Sequence, residues 1–529
     1  MSTPEHGEKR AVKSIGRGTT IMVVGSLLLV LFNFLGRVIV ARYVSLPEWG
    51  AYNLGLAFTG ILSTVALLGL PSAIARTLAY ESDPAVQQRT IRVATVLAVV
   101  SSVTASITVY IFSAPLANLF QAGSSGPLAE TFQLFSVTVG FLLLSTFLAA
   151  IFQGFENAFP QAWFNNIVNP AMFLVFLGLF LWLHPGFFGI LLSYVLASVV
   201  SFVGVAVYTW RKFPVPPHPK PTAPVKIPSE LWSLTLGLWA VTSLYLITAW
   251  LDTLILGLYR NSTDVGYYSA AISLGRVLTV GNAALLFVYL PVASRLVRSK
   301  DVPALRSTYA LSTRWTVAIA FPFFLLFTFL PGLSLAAVFG PRYAAAAFPL
   351  QILTLGAFVS TFTGPAASAL AAQARSRELL IISGTSALLS AIICFSLVPS
   401  MGSVGASIAW TASRVAYVWL GLGLLFWSDR VHPFGREFLL PLAVALAVGG
   451  PLFLLFSQWD LAYWSVVPLF FLGEAIFIGA ILLTRSLSEG DLQALRGIER
   501  VLGFRMESIE RFLRRFITVS VPPAPTVTP

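Results

Sequence analysis

The chain has 529 residues, of which 57% are hydrophobic and only 10% are charged. Soluble domains average about 45–50% apolar and about 25% charged residues, so this composition excludes a soluble globular protein and predicts an integral membrane protein. The single cysteine, Cys394, lies in an apolar run, and the four histidines are scattered without ligand spacing. Neither a disulfide framework nor a metal site is expected, and no cofactor is predicted.

Apolar runs of about 20 residues, long enough to cross a bilayer, recur along nearly the whole chain between short polar breaks. They predict an all-α membrane protein with about fourteen transmembrane helices. The predicted segments are 17–44, 47–74, 89–113, 129–156, 160–183, 187–211, 230–258, 264–295, 307–330, 345–372, 377–399, 403–427, 437–457 and 461–484. The first run is longer than the ~7–15-residue core of a signal peptide, so we expect it to remain as helix 1.

The distribution of Lys and Arg predicts the direction of these helices, because cytoplasmic loops accumulate cations. Of the 33 Lys and Arg residues, 27 fall in alternate breaks and in the tail, whereas the opposite breaks hold only Arg42, Arg260 and Arg342. Both termini are therefore predicted to be cytoplasmic, in a plasma membrane. The net charge of +12 is attributed to this topology and to anionic lipid headgroups, and nucleic-acid binding is not expected.

Polar and proline-rich breaks divide the chain into parts. These are a cytoplasmic N-terminus (1–16), an N-lobe of six helices (17–211), a cytoplasmic linker (212–229), a C-lobe of six helices (230–427), two further helices (437–484), an amphipathic cytoplasmic helix (485–517) and a disordered end (518–529). In the amphipathic segment Ser488 precedes Asp491 by three residues, which is the spacing of a capping box.

The chain repeats itself at an offset of 216 residues, the difference between Tyr43 and Tyr259. The other matched pairs are Glu48 with Asp264, Gly50 with Gly266, Tyr52 with Tyr268, Gly140 with Gly356, Gly189 with Gly405, and Tyr194 with Trp410. The offset spans six predicted helices, an even number, so both copies should cross the membrane in the same direction. Parallel repeats of this kind form transporters with a substrate site between the halves; a duplication retained for stability alone is the alternative.

The repeated turn PEWGAY (47–52) with its copy TDVGYY (263–268), the two six-helix halves and the segment FGPRYAAAAFPLQIL (339–353) together resemble a known family. That family is the polysaccharide-transporter branch of the multidrug/oligosaccharidyl-lipid/polysaccharide (MOP) exporter superfamily. The resemblance implies a flippase that moves polyprenyl-linked oligosaccharides to the outer leaflet by alternating access of its lobes. It also implies that helices 1, 2, 7 and 8 face a central cavity.

Five ionisable side chains lie inside predicted helices, where each costs about 2.5–3.5 kcal/mol at mid-bilayer and is therefore a functional candidate. They are Arg37, Asp252, Arg276, Arg414 and Glu474. Arg37 and Asp252 both lie about 10–12 Å inside the outer ends of helices 1 and 7. Because Asp252 aligns with Gly36, we expect opposite charges at similar depth on facing helices. The pair could form an outer gate that opens for a diphosphate; a permanent structural ion pair is the alternative.

The other three charges have two interpretations each. Arg276 aligns with Gly60, so it breaks the repeat, and it is either a second phosphate or sugar contact or a core residue bonded to backbone carbonyls. Arg414 serves either the cavity or helix packing. Glu474 lies outside the two lobes; it could take up a coupling proton or line a groove for lipid tails, or it could pair with a neighbouring helix.

Polar side chains are concentrated in the run QGFENAFPQAWFNNIVNP (153–170) at the start of helix 5. Amides suit sugar hydroxyls and an indole ring can stack on a sugar, so the run provides sugar-contact candidates. These are Gln153, Asn157, Trp163, Asn165 and Asn166. The alternative is that these groups bond exposed helix ends.

A transporter of lipid-linked oligosaccharide for surface polysaccharide or glycan synthesis is the leading hypothesis, because three intramembrane arginines against two acids suit an anionic diphosphate. Its expected partners are that lipid, membrane lipids and glycan-assembly enzymes, and a monomer is expected. The alternative is an ion-coupled multidrug or small-molecule exporter. A membrane-embedded glycan polymerase or transferase is a remote alternative, because no long outer loop carries catalytic acids. No nucleotide-binding loop is present to drive transport by ATP hydrolysis.

Overall fold

The computed structural model describes residues 4–120, 125–213, 229–373, 375–488 and 490–492, and these residues contain helices but no β-strand. The helices are α1 (Pro4–Tyr43), α2 (Leu46–Ala66), α3 (Leu70–Tyr80), α4 (Pro84–Ile111), α5 (Ser113–Leu119), α6 (Ser125–Gly154), α7 (Asn169–Leu183), α8 (Phe187–Lys212), α9 (Ser229–Tyr259), α10 (Ser262–Gly275), α11 (Val277–Arg298), α12 (Val302–Phe329), α13 (Pro331–Phe339), α14 (Ala347–Thr361), α15 (Ala366–Ala372), α16 (Ser376–Met401), α17 (Ser403–Asp429), α18 (Arg436–Phe456) and α19 (Val466–Leu483). A π-helical segment, Gln161–Val168, precedes α7, and 3₁₀ turns occupy Pro341–Ala346 and Tyr463–Ser465.

The all-α membrane fold predicted from the sequence is confirmed. Eleven helices of the described residues are long and apolar enough to cross a membrane, or twelve if α2 and α3, which meet at 43°, form one bent span. Each of the fourteen predicted segments coincides with a helix or with consecutive helices, although the count of fourteen spans stays a prediction. Residues 214–228 of the predicted linker (212–229) and nearly all of the tail lie outside the described residues.

Two compact units make up the chain. The first comprises 1–273, 338–349 and 383–413. Within it, helices α3, α4, α6 and α8 meet in an apolar cluster that includes Leu78, Ala98, Phe147 and Val205. Its small and large side chains interdigitate, as close-packed interiors require.

The second unit comprises 274–337, 350–382 and 414–529. Its apolar cluster joins α11, α12, α15, α16 and α17 through Tyr289, Tyr309, Leu370, Ile382 and Leu425. All five of these side chains are less than 6% exposed.

The repeated turn begins a capped helix in both copies. Ser45 caps α2 in a full capping box, in which the Ser45 backbone N–H donates to the Glu48 carboxylate at 2.7 Å. At the repeat position, the Asp264 backbone N–H donates to Asn261 Oδ1 at 2.9 Å before α10. Both caps satisfy amides that a helix start otherwise leaves unpaired.

The bend between α2 and α3 leaves backbone carbonyls that need partners inside an apolar region. Leu68 (φ 44°) and Gly69 (φ 79°) take left-handed backbone conformations there. The Trp239 indole N–H donates to the Thr64 carbonyl at 3.1 Å, and the Ser101 hydroxyl donates to the Ala66 carbonyl at 2.5 Å. The broken span is therefore tolerated because side chains of neighbouring helices satisfy its freed backbone groups.

The three arginines predicted on the outer side all bond the ends of other helices. Each donates to a carbonyl in a last turn: Arg42 Nε to Val338 at 2.8 Å, Arg342 Nη2 to Ala41 at 2.6 Å, and Arg260 Nη2 to Pro399 at 2.9 Å. A helix leaves its last carbonyls unpaired and partly negative, which favours a cation there. These arginines are therefore explained by capping.

Candidate functional site

Arg37 lies on α1, inside the apolar span Val24–Tyr43, and is half-buried. Its Nη1 donates a hydrogen bond to the Ser273 hydroxyl on α10 at 3.1 Å. Its guanidinium carbon lies 5.9 Å from the centre of the Trp250 ring on α9, within cation–π range. A hydroxyl and an aromatic face thus orient this intramembrane cation toward α9 and α10.

Asp252 lies on α9, two residues after Trp250, and is 1% exposed. The Tyr268 hydroxyl on α10 donates to its Oδ2 at 2.5 Å. The backbone N–H of Thr253 donates to Oδ1 at 2.6 Å, and the Thr253 hydroxyl donates to the same atom at 3.1 Å. A buried carboxylate needs such donors to replace its lost water.

Arg37 of α1 contacts residues of α9 and α10, and Asp252 of α9 bonds a residue of α10. Trp250 and Asp252 lie on α9, and Tyr268 and Ser273 lie on α10. That the two opposite charges lie at similar depth on facing helices stays a prediction. Their role as a gate, a substrate contact or a structural pair stays a prediction.

The remaining charged candidates belong to the second unit. Arg276 occupies the break between α10 and α11, where its carbonyl accepts from the Thr279 hydroxyl at 2.8 Å. Arg414 lies on α17, and its buried Nε has no hydrogen-bond partner among the described residues. Glu474 is half-buried on α19, next to Gly473, where an added Cβ would lie 3.0 Å from Pro322 of α12. Their roles stay predictions.

The polar run of helix 5 forms a hydrogen-bond network at the π-helical segment. Asn165 Oδ1 accepts from the Ser145 hydroxyl at 2.5 Å, and Asn165 Nδ2 donates to Gln161 Oε1 at 2.9 Å. Asn166, 7% exposed, accepts from Gln161 Nε2 at 3.4 Å. The Ser201 hydroxyl donates to a π-segment carbonyl, that of Phe164, at 2.9 Å. Asn165 thus joins α6 to the π segment, and Ser201 joins α8 to it.

The other three sugar-contact candidates lie outside this network. Trp163 is 46% exposed and stacks on Phe159, with ring centres 5.9 Å apart. Asn157 Oδ1 accepts from the Phe159 backbone N–H at 3.0 Å, which closes a local turn. Gln153 is exposed. Sugar contact by these residues, and by the two amides, stays a prediction.

Three tyrosines that the sequence shows only as markers of the repeat make specific contacts in the structure: Tyr52, Tyr194 and Tyr268. Tyr268 binds Asp252, whereas its repeat equivalent Tyr52 joins an aromatic cluster with Phe135 and Tyr194. The ring centres of Phe135 and Tyr194 are 5.3 Å apart. The signal that could have found these residues was the alignment of the two copies, which paired Tyr52 with Tyr268.

A second buried polar cluster was also missed. Arg314 of α12, one of the 27 cations that the sequence predicts on the cytoplasmic side, is 7% exposed and forms an ion pair with Asp491, which is 8% exposed. Arg314 Nη1 also donates to the Ser486 carbonyl at 2.6 Å, and the Trp315 indole N–H donates to Asp491 Oδ1 at 3.0 Å. The Ser488 backbone N–H donates to Asp491 Oδ2 at 2.8 Å, which is half of the predicted capping box.

Within the part of the chain that the structure describes, no three His, Cys, Asp or Glu side chains are grouped to hold a metal ion. The groups that the structure places around α9 and α10 are the Arg37 guanidinium, the buried Asp252 carboxylate and the hydroxyls of Thr253, Tyr268 and Ser273. Such groups can bind an anionic or polar ligand through hydrogen bonds.

A family model described as polysaccharide biosynthesis protein matches residues 15–297, more than half of the 529-residue chain. The solved structure of the lipid II flippase MurJ in an inward closed conformation is 16% identical, with a TM-score of 0.69, covering 89% of this chain and 99% of MurJ. An inward-facing multidrug resistance MATE transporter is 16% identical with a TM-score of 0.60, covering 78% of this chain and 98% of its own. No curated protein sequence matches significantly.

A further solved structure, a MOP superfamily transporter from Pyrococcus furiosus, is 16% identical with a TM-score of 0.54, covering 79% of this chain and 96% of its own. At 16% sequence identity, these matches to solved structures show that the chain shares their fold. Together with the apolar spans, they show a multi-pass membrane fold that is similar to the fold of these transporters of the MOP superfamily. The chain belongs to the polysaccharide biosynthesis protein family, whose model matches more than half of it. The resemblance read from the repeated turn is thereby confirmed.

Proposed function

We propose that the protein flips a polyprenyl-linked oligosaccharide, joined through phosphate or diphosphate, from the cytoplasmic to the outer leaflet by alternating access. It acts in the plasma membrane as a monomer with both termini in the cytoplasm, and supplies the synthesis of a surface polysaccharide or glycan. It is a transporter and not an enzyme.

The observation that carries this proposal is the placement of Arg37. Its guanidinium lies within an apolar span and is oriented by the Ser273 hydroxyl and the Trp250 ring. A guanidinium binds phosphate oxygens through two parallel hydrogen bonds and is less strongly hydrated than an ammonium, so it suits a diphosphate in a partly dry cavity. A charge in this position is costly unless it serves a ligand or a partner.

The family and the neighbours support the same proposal. MurJ is described as a lipid II flippase, and it covers more of this chain than the multidrug transporter does. The intramembrane charges include three arginines, Arg37, Arg276 and Arg414. Their positive excess favours an anionic substrate over a cationic drug.

The proposal is tested with the purified full-length protein in liposomes. The probe is a polyprenyl-diphosphate oligosaccharide with a fluorescent sugar, and flipping is read as the fraction of probe that an external quencher cannot reach over time. Wild-type protein accelerates this exchange over protein-free liposomes. Arg37→Ala lowers the rate about ten- to a hundredfold, because one charge-assisted hydrogen-bond set contributes about 1.5–3 kcal/mol. Arg37→Lys keeps the charge but not the fork, and gives an intermediate rate.

Arg298→Ala is the matched control, since Arg298 is exposed at the end of α11 and the same side chain is removed. It leaves the rate unchanged. If Arg37→Ala flips the probe at the wild-type rate in a stably inserted protein, the assigned phosphate contact is wrong. If the wild-type protein moves no lipid-linked probe but exports a cationic dye, the ion-coupled exporter replaces the flippase.

A further inference from the structure

Two repeated glycines bring helices α2 and α10 into close contact. A Cβ added at Gly50 of α2 would lie 1.8 Å from the Ser262 carbonyl oxygen of α10. A Cβ added at Gly266 of α10 would lie 2.7 Å from the Leu46 carbonyl oxygen of α2. Real Cβ atoms do not approach a backbone oxygen this closely, so only glycine permits the packing at both positions.

The two contacts are copies of each other under the internal repeat. The offset that relates Gly50 to Gly266 also relates Leu46 to Ser262, since both pairs differ by 216 positions. Each repeat therefore places its glycine against the first carbonyl of the other repeat's helix. All four residues belong to the first compact unit, so the contact lies within one described body.

This contact is close in geometry and weak in energy. A carbon–carbon bond is about 1.5 Å long, so Gly50 Cα lies within about 3.3 Å of the Ser262 oxygen. That distance is typical of a Cα–H···O contact, which contributes little compared with an N–H···O hydrogen bond. Small residues that allow backbones to approach are also the common means by which membrane helices associate. A seam of this kind can form and separate repeatedly.

The helix starts on both sides of the seam are held rigid. Ser45 and Glu48 fix the start of α2, and Asn261 and Asp264 fix the start of α10. The carbonyls that face the glycines are therefore presented in a fixed geometry. A helix pair with rigid ends separates as a unit and does not fray.

Two buried polar atoms of α2 beside Gly50 are unsatisfied in the described structure. Trp49 Nε1 and Asn53 Oδ1 are buried and have no hydrogen-bond partner among the described residues, and these residues flank Gly50. A buried polar atom without a partner carries a free-energy cost, which is relieved when water or another group reaches it. The described arrangement of α2 therefore carries this cost.

We propose that the reciprocal contacts Gly50–Ser262 and Gly266–Leu46 form the seam that closes the outer end of the transport pathway, and that this seam separates when the protein opens outward. The inference rests on the alternating access of the proposed function and on the predicted orientation of the helices. It also explains the glycine in PEWGAY and TDVGYY, because in each copy a backbone carbonyl of the other copy lies where a side chain would be.

The seam is tested by measuring the distance between its two sides. Spin labels are placed at Tyr43→Cys and Tyr259→Cys, which are repeat equivalents three residues before each helix start and are 65% and 41% exposed. Cys394, buried and the single native cysteine, is changed to alanine. Distances are recorded by pulsed electron paramagnetic resonance on the full chain in lipid nanodiscs, without any glycan.

We expect Gly50→Ala to raise the population at the longer distance, relative to the shorter one, by about tenfold or more. Overpacking a tight contact changes such an equilibrium constant by about ten- to a hundredfold. Gly266→Ala shifts it in the same direction but less, since its overlap is smaller. Gly178→Ala of α7, where an added Cβ meets nothing within 4 Å, is the matched control and leaves the distances unchanged.

Folded Gly50→Ala protein with the wild-type distance distribution overturns the proposal. If Gly50→Ala does not fold, Gly266→Ala decides; if neither folds, the contact is a permanent packing contact and the proposal is wrong. The distance measurement contains no substrate, so it tests the seam separately from the proposed function. A shifted distance ratio in a protein that does not flip the glycan supports the seam and contradicts the proposed substrate. Glycan flipping with unchanged distances supports the substrate and contradicts the seam.

Discussion

Replacing Asp491 by alanine should destabilise the second unit by about 3 kcal/mol. Breaking a buried ion pair by removing one partner costs about 3–5 kcal/mol, because the other charge is left uncompensated. The side chains of Arg314 and Asp491 are 8% and 10% exposed, so the pair is close to this limit. The loss also leaves the Trp315 indole and the Ser488 amide without their acceptor.

The lower end of the range applies because Arg314 keeps other acceptors. Its Nη1 bonds the Ser486 carbonyl at 2.6 Å and lies 3.8 Å from the Glu437 carboxylate, which is largely exposed. Asp491→Asn retains the shape and one acceptor oxygen but loses the charge, so it should cost about 1–2 kcal/mol. The order of stability is therefore wild type, then Asp491→Asn, then Asp491→Ala.

The assay is reversible denaturant unfolding of the purified chain in detergent, followed by tryptophan fluorescence, over a double-mutant cycle. Arg314→Ala, Asp491→Ala and the double variant give a coupling energy, which we expect to be about 2 kcal/mol or more for charged groups in contact. Asp460→Ala is the matched control, because Asp460 is exposed between α18 and α19. It should change the free energy of unfolding by less than about 0.5 kcal/mol.

The reasoning is refuted if Asp491→Ala matches Asp460→Ala, or if the two single variants add without coupling. Either result would mean that water reaches the pair and screens it as it screens surface ion pairs.

Two further substitutions test local packing and the polar network. Gly364→Ala should destabilise the protein by about 2 kcal/mol or more, because Gly364 has φ +55° and an added Cβ would lie 2.0 Å from Thr313 Oγ1. Thermal unfolding measures this loss of stability. The control is Gly384→Ala, where an added Cβ meets nothing within 4 Å. Asn165→Ala should cost about 1–3 kcal/mol by leaving network partners unpaired, whereas Trp163→Ala, at an exposed ring, should cost less than about 1 kcal/mol in the same measurement; equal costs would contradict the network.

The fold was largely predictable because long apolar runs leave the chain no alternative to helices in a membrane. The repeat could also be found, since Gly50 and Gly266 must remain glycine where backbones touch, and such positions are visible in sequence. The bend between α2 and α3 was not predicted, because Leu68 in a left-handed conformation carries no sequence signal and depends on donors from Ser101 and Trp239.

The candidate site was predictable only at its charges. Arg37 and Asp252 stand out in apolar surroundings, whereas Ser273 and Trp250 are ordinary residues of membrane helices until the fold brings them to Arg37. Arg314 was counted among the cytoplasmic cations and not as a buried charge, because its partner Asp491 lies 177 residues away in sequence and an ion pair across that separation has no local pattern.

The π-helical segment Gln161–Val168 has a consequence for the history of the chain. In a π turn the amide of residue i+5 bonds the carbonyl of residue i, as the Asn169 N–H does to Phe164, so the helix has absorbed an extra residue. Such a segment has the form of a one-residue insertion in an α-helix. The insertion changes the helical register of the residues that precede it relative to the residues that follow it. Homologues that lack the insertion should therefore be one residue shorter between 161 and 168, and an alignment gap at this point would be a real evolutionary event and not an alignment error.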